Sequence, residues 1–329
     1  MKRRTFTADV GALAAGALVP RQVGDRIGTG DVERLREQLH SLYRTDHTAG
    51  SAPARVRARS VEQGITQALS SGSYTSAVGR DLQGMLSELY SLRAWFGYDG
   101  GPVDRARAAA VEALTSAQLS GDPMVHISAL ETLVLLSVKA DRTWEASSAV
   151  DYAYRLAESA GAGPTVRLVI ALRETNVAVH AGDLGTARRA LSRGMSFLGR
   201  MDSDTEVPTW ARFAGAGEVD YATASMYLRA GQPNRALPFL RSTIGGLDSE
   251  YTRNNAWYRA KLAGVLLRAG EAEEACAEMH AVLDRHDGIS SPSLSRRMRA
   301  FCLRAAEYDT ATARECATRI RDAVGSGTV

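Results

Sequence analysis

Residues 221–240 read YATASMYLRAGQPNRALPFL. An apolar pattern of helical period runs into Ala230-Gly231, four residues turn the chain, and a second pattern opens on the small Ala236. Glycine ends helices because it takes the left-handed conformation without a Cβ clash, so the stretch reads as two helices folded back on each other. The same arrangement recurs. Gly101 precedes Ala106, Gly182 precedes Ala187 and Gly270 precedes Ala275, each alanine lying in the same place after its turn. Asp141 with Ala146 is a degenerate copy, so the marks fall roughly forty residues apart with one longer step from 182 to 231. Repetition at such a period predicts an all-α chain, a superhelical solenoid of antiparallel helix pairs.

Outward from these marks, proline supports the boundaries. Pro102, Pro123, Pro164, Pro208, Pro233 and Pro292 each stand where a helix is expected to begin, the place that tolerates a missing N–H. Asp122 and Ser291 precede two of them as N-caps. Pro238 falls inside a pattern, where a bend or a delayed start is expected. ALETLVLLSV, Ala129 to Val138, is apolar nearly all round and belongs in the middle of the stack. The long step is accounted for by Met201 to Val207, a polar projecting loop, and the charged pair from Leu294 to Val324 should form a polar C-terminal cap. Toward the N-terminus, Asp31 is placed to cap a helix carrying Val32, Leu35, Leu39 and Tyr43. The stretch Thr48 to Pro53 should break it, and a second helix through Val56, Ile65 and Leu69 should stop at Gly72. The expected organisation is an arm and linker over 1–30 and a helical array over 31–329.

The totals narrow the function. Hydrophobic residues make up 45% of the chain but aromatics only 6%, so close helix packing must rest on alanine and leucine. Lysine occurs only at 2, 139 and 261, which leaves 37 of the 40 basic residues as arginine. Against 37 acidic residues the net charge is +3, too small for the global field that nucleic-acid binders carry. Cys276, Cys302 and Cys316 are odd in number and lack metal-ligand spacing, which suits a reduced, cytoplasmic chain. No apolar run is long enough for a membrane span. Arg3-Arg4 with Phe6, ahead of the apolar stretch from Val10 to Val19, resembles a twin-arginine export signal. Lys2, Thr7 and Asp9 depart from that motif and no cleavage site follows Val19, so a cytoplasmic location is expected and export by that pathway is the alternative.

The pattern resembles the tetratricopeptide repeat. Ala224, Tyr227 and Ala236 match its small and aromatic positions around Gly231, and Leu262, Ala263 and Ala275 match around Gly270. The resemblance covers about 74–324, with a period longer than the family's usual ~34 residues. The run SYTSAVGRDLQGMLSELYSLRAWFGYDGG, Ser73 to Gly101, is similar to the C-terminal repeat region of actinobacterial helix-turn-helix (XRE-type) transcriptional regulators, in which an RRxF segment also precedes the repeats. No helix-turn-helix pattern is present in the first seventy residues, so the resemblance implies a sensor or interaction module and argues against direct sequence-specific DNA binding.

Catalytic signals are thin. Gly194 to Gly199, GMSFLG, misses the nucleophile-elbow spacing by one residue and falls within a helix. Cys276, His280 and Asp284 share one helix face, but no second cluster completes a metal site. Arginines gather at 55, 57 and 59 and again from 296 to 321, where interspersed acids should neutralise them. No catalytic, cofactor-binding or metal-binding residue is assigned. In the register that the repeat resemblance implies, Asn176, His180, Tyr221, Ser225, Arg229, Trp257 and Arg268 line a concave groove. Aromatic rings beside arginine forks suit a peptide, a small signal molecule or a partner protein with acidic character. The expected function is a non-enzymatic regulatory or interaction module linked to transcription or a biosynthetic cluster. An accessory biosynthetic enzyme on a helical scaffold, or an exported repeat scaffold, is the alternative, and self-association stays open.

Overall fold

A computed structural model describes residues 26–202, 206–247 and 251–324. The twin-arginine-like segment lies outside them. Among the described residues the chain is all helical, with no strand. The helices are α1 Thr29–Ala49, α2 Ser51–Ser71, α3 Ser76–Gly100, α4 Val103–Ser120, α5 Pro123–Lys139, α6 Thr143–Ser159 and α7 Pro164–Ala181. They continue as α8 Leu184–Leu198, a 3-10 turn at Thr209–Ala211, α9 Ala216–Arg229, α10 Pro233–Gly245, α11 Thr252–Ala269, α12 Ala272–Leu283, α13 Pro292–Ala305 and α14 Ala311–Val324. None is long and apolar enough to cross a membrane.

Each odd-numbered helix packs on the even-numbered helix that follows it. Gly182, Gly231 and Gly270 turn the chain with φ of 80°, 70° and 88°, and Asp141 does the same at 59°. Gly101 is the exception, with φ −110°. The alanines after the five turns, Ala106, Ala146, Ala187, Ala236 and Ala275, are all buried. The first crossing shows why small residues are needed: a Cβ on Gly97 would lie 2.6 Å from that of Ala106. Ala236→Leu should therefore lower stability by ~1–3 kcal/mol through overpacking; a urea midpoint equal to wild type would show that the α9–α10 crossing has room to spare.

The caps follow local chemistry. Pro123, Pro164, Pro233 and Pro292 open their helices, and the carboxylate of Asp122 and the hydroxyl of Ser291 accept from Met124 N and Leu294 N. Pro208 leads only into the 3-10 turn. Pro238 lies within α10, which begins at Pro233 without delay. Asp31 sits in the first turn of α1 rather than at its cap, where its carboxylate accepts from Gly28 N at 3.0 Å. The expected break over 48–53 shrinks to Gly50 alone, because Pro53 is tolerated in the first turn of α2. Ala129 to Val138 is mostly buried, with α5 packed on α3, α4, α6 and α7.

The odd-numbered helices form a row that returns on itself. α3 packs on α5, α5 on α7, α7 on α9, and α11 on α13, while α13 also reaches α3. Between α9 and α11 the link runs through α10 and through the rings of Tyr221 and Tyr258, 5.0 Å apart. α1 bridges α3 and α11. At the last pair, where the sequence leads one to expect a polar cap, α13 buries Leu294, Met298 and Phe301 and meets the start of the row. At that junction Ser290 N donates to Ala49 O at 2.8 Å.

Candidate functional site

The residues expected to line a groove divide among three places. His180 and Arg229 meet where α7 and α9 end: the His180 ring pairs with Asp141 at 2.9 Å, and Arg229 reaches the His180 carbonyl at 3.4 Å. Both are exposed, on the rim made by the turns. Asn176, on α7, holds a buried Oδ1 with no donor, and the Ser225 hydroxyl is spent on its own helix, donating to Tyr221 O at 2.9 Å. Tyr221 and Trp257 do come together, ring centroids 5.9 Å apart and edge to face. Arg268 is exposed in the last turn of α11, beside Arg304.

Around Tyr221 and Trp257, side chains from four odd-numbered helices converge. The Arg297 guanidinium of α13 lies over the Trp257 ring, 4.2 Å from its centroid, and faces the phenols of Tyr221 and, from α3, Tyr98. Burial draws the Arg297 guanidinium down, and pushes the Tyr221 phenol up to about 12. Lys261 of α11 is depressed to about 8, first by burial and then by Arg297 and Arg268. Its side chain keeps some contact with solvent. Burial and like charge, with no ion pair, account for the depressed amine. Among the described residues neither Lys261 nor Arg297 forms an ion pair, and Arg297 Nε, buried, has no acceptor.

The other arginines that face inward or bridge elements have partners. Arg173 pairs with Glu131 at 2.7 Å, Arg193 with Glu174 at 2.5 Å and Arg259 with Glu278 at 2.6 Å. Glu218 is deeply buried, which raises its carboxyl, and it accepts from the Tyr258 hydroxyl at 2.6 Å. Unpaired positive charge among these residues therefore gathers on α11 and α13, at Lys261 and Arg297.

A second polar centre closes the row. Asp99, at the end of α3, is buried and accepts from Ser51 at 2.8 Å, Ser291 at 2.8 Å, Arg253 at 3.0 Å and Ser293. Its carbonyl accepts from Arg296 at 2.8 Å. Burial alone would raise this carboxyl, but Arg253 and the three hydroxyls hold it below the usual carboxylate range. Beside it, Trp95 Nε1 donates to Asp46 at 2.9 Å, and His47, its ring tilted against that of Tyr251 with centroids 4.9 Å apart, is pulled down to about 4 by burial and Arg253.

The remaining candidates have structural duties. Gly194 lets α8 approach Leu168, 3.4 Å from where its Cβ would stand, and GMSFL lies inside α8. Arg319 bonds to both His280 and Asp284 at 2.6 Å, taking the place that a metal would need, while Cys276 is buried against Cys316. Arg55 bonds to Phe96 O, Arg57 to Thr45, Arg299 to Val324 O and Arg314 to Asp309. The arginine groups therefore serve the junction and the last pair more than an outer patch.

Sequence reasoning missed Tyr98, Lys261, Gly264 and Arg297. One signal was available for two of them: Lys261 is a rare lysine, and Gly264 interrupts the apolar pattern of a helix. No family model matches the chain, and no curated protein matches it.

Proposed function

We propose that the chain is a non-enzymatic binding module, a tetratricopeptide-like right-handed solenoid that holds a ligand in the space within its row of first helices. The observation that carries this reading is the convergence of Tyr98, Tyr221, Trp257, Lys261 and Arg297, from helices far apart in the chain, with two cations left without acids. An aromatic and cationic lining inside a rigid helical frame suits binding and orienting a ligand. The helix pairs and the buried alanines after each turn favour the repeat assignment, and with it a regulatory role through a bound signal or partner rather than direct reading of DNA. Three free cysteines suit the cytoplasm.

Native mass spectrometry tests the reading. Wild-type protein incubated with a small-molecule and peptide extract of its host, then separated from unbound material, should carry a non-covalent adduct that Trp257→Leu largely loses while its melting curve stays cooperative. Bare-chain mass for the wild type, or an adduct that Trp257→Leu retains in full, would remove the interior from consideration.

A further inference from the structure

We propose that the inward face of α11 and α13 binds a small organic anion, a carboxylate or phosphate ester carried on a planar ring, with Lys261 and Arg297 on the anion and Trp257 and Tyr221 beside the ring. The proposal rests on reading the interior as a binding space and adds the class of ligand.

Trp257, Lys261, Gly264 and Arg268 follow one another at i, i+4, i+7 and i+11, so they form one stripe along α11. Gly264 is the telling member. A glycine in a helix interior gives up helix propensity, which is worthwhile where a neighbour presses on it. Gly97 and Gly194 are of that kind, with Ala106 and Leu168 against them. A Cβ on Gly264 would meet nothing within 4 Å, although the residue is half-buried. The stripe thus has an open notch in its middle, with Trp257 and Lys261 on one side and Arg268 on the other.

The charges around the notch lack a counterion. The groups acting on Lys261 are Arg297 and Arg268; those on Arg297 are the phenols of Tyr221 and Tyr98 together with Arg268; and that on Arg268 is Arg304. No carboxylate is among them. Lys261 and Arg297 repel each other where burial weakens screening by water, and one anion between them relieves both that repulsion and the unmet hydrogen-bonding capacity of Arg297 Nε. The guanidinium over the Trp257 ring keeps N–H donors for an oxyanion, while Trp257 and Tyr221 offer ring surface. Closure of the row, with α13 on α3 and α1 against α11, favours a compact ligand over an extended peptide.

Calorimetry with full-length protein and four probes decides the matter: 2-naphthoate, 2-naphthyl phosphate, neutral 2-naphthamide and inorganic phosphate. At least one ring-bearing anion should bind tenfold or more tightly than naphthamide and than inorganic phosphate, and the ratio of the two anions tells carboxylate from phosphate. Lys261→Met should cut that affinity tenfold or more and leave naphthamide unchanged. Gly264→Leu should abolish binding of every ring, with a cooperative melt showing that it folds. Lys261, with its amine near 8, is charged at pH 7 and neutral at pH 9.5, so naphthoate affinity should fall over that interval in wild type and stay level in Lys261→Arg. Equal affinity for naphthoate and naphthamide, or no effect of Lys261→Met, overturns the anion; if Gly264→Leu still blocks the ring, the interior reading survives. No binding by any probe also overturns the proposal, and the extract experiment then judges the interior separately.

Discussion

Asp99→Ala should lose about 3–5 kcal/mol of stability, the range for breaking a buried ion pair by removing one partner. The carboxylate joins α3 to Arg253 of α11, to Ser51 of α2 and to Ser291 and Ser293 at the start of α13. Truncation strands a guanidinium that is 5% exposed, together with three hydroxyls. Asp46 acts on Arg253 as well and softens the loss, which favours the lower end of the range. Urea denaturation measures it, and a midpoint within error of wild type would show that the junction contributes nothing. The double variant Asp99→Ala with Arg253→Met should be less destabilised than Asp99→Ala alone, because the stranded charge is gone. The pH dependence follows from the depressed carboxyl. Stability supplied by Asp99 is complete above the unfolded carboxylate value, about 3.9, and drains away as pH falls below it. In acid, Asp99→Ala and wild type should converge.

Gly50→Ala should cost a comparable amount for a different reason. Gly50 holds φ 92° and ψ −178°, a region that is essentially reserved for glycine and that costs other residues ~1–3 kcal/mol. A Cβ there would also lie 2.5 Å from Ser290 O, a backbone atom with little freedom to retreat, which adds ~1–3 kcal/mol of overpacking. The two together should separate α1 and α2 from residues 289–292 before the rest unfolds. Hydrogen exchange should show faster exchange at Ser290 N, which bonds to Ala49 O, with little change in α5–α8. Uniform protection across the variant would mean that the junction adapts without opening.

Much of the fold is legible because its rules are local. Gly182, Gly231 and Gly270 declare turns by needing positive φ, Ala187, Ala236 and Ala275 declare crossings by being small, and Pro123, Pro164 and Pro292 declare starts by lacking an N–H. Where the local rule had two outcomes, the reading slipped. Pro53 breaks a helix interior but not a first turn, so α1 and α2 come closer than the stretch over 48–53 suggests. The candidate site is legible only in part. Tyr221 and Trp257 follow from the repeat register, yet the same register puts His180 and Arg229 in the groove when they stand on the rim.

By itself, then, the sequence determined the helices, their turns and the pairing of neighbours, since each depends on a few residues near in the chain. What faces what across the interior was decided by the tertiary structure. Arg297 read as one arginine of a charged surface, and it turns inward to lie on Trp257 because α13 returns to α3. Asp99 carries no local signal in the sequence, and it becomes the anchor of residues more than 150 positions away. Where the row closes depends on the sum of many helix crossings, each set by packing, so no single stretch encodes it.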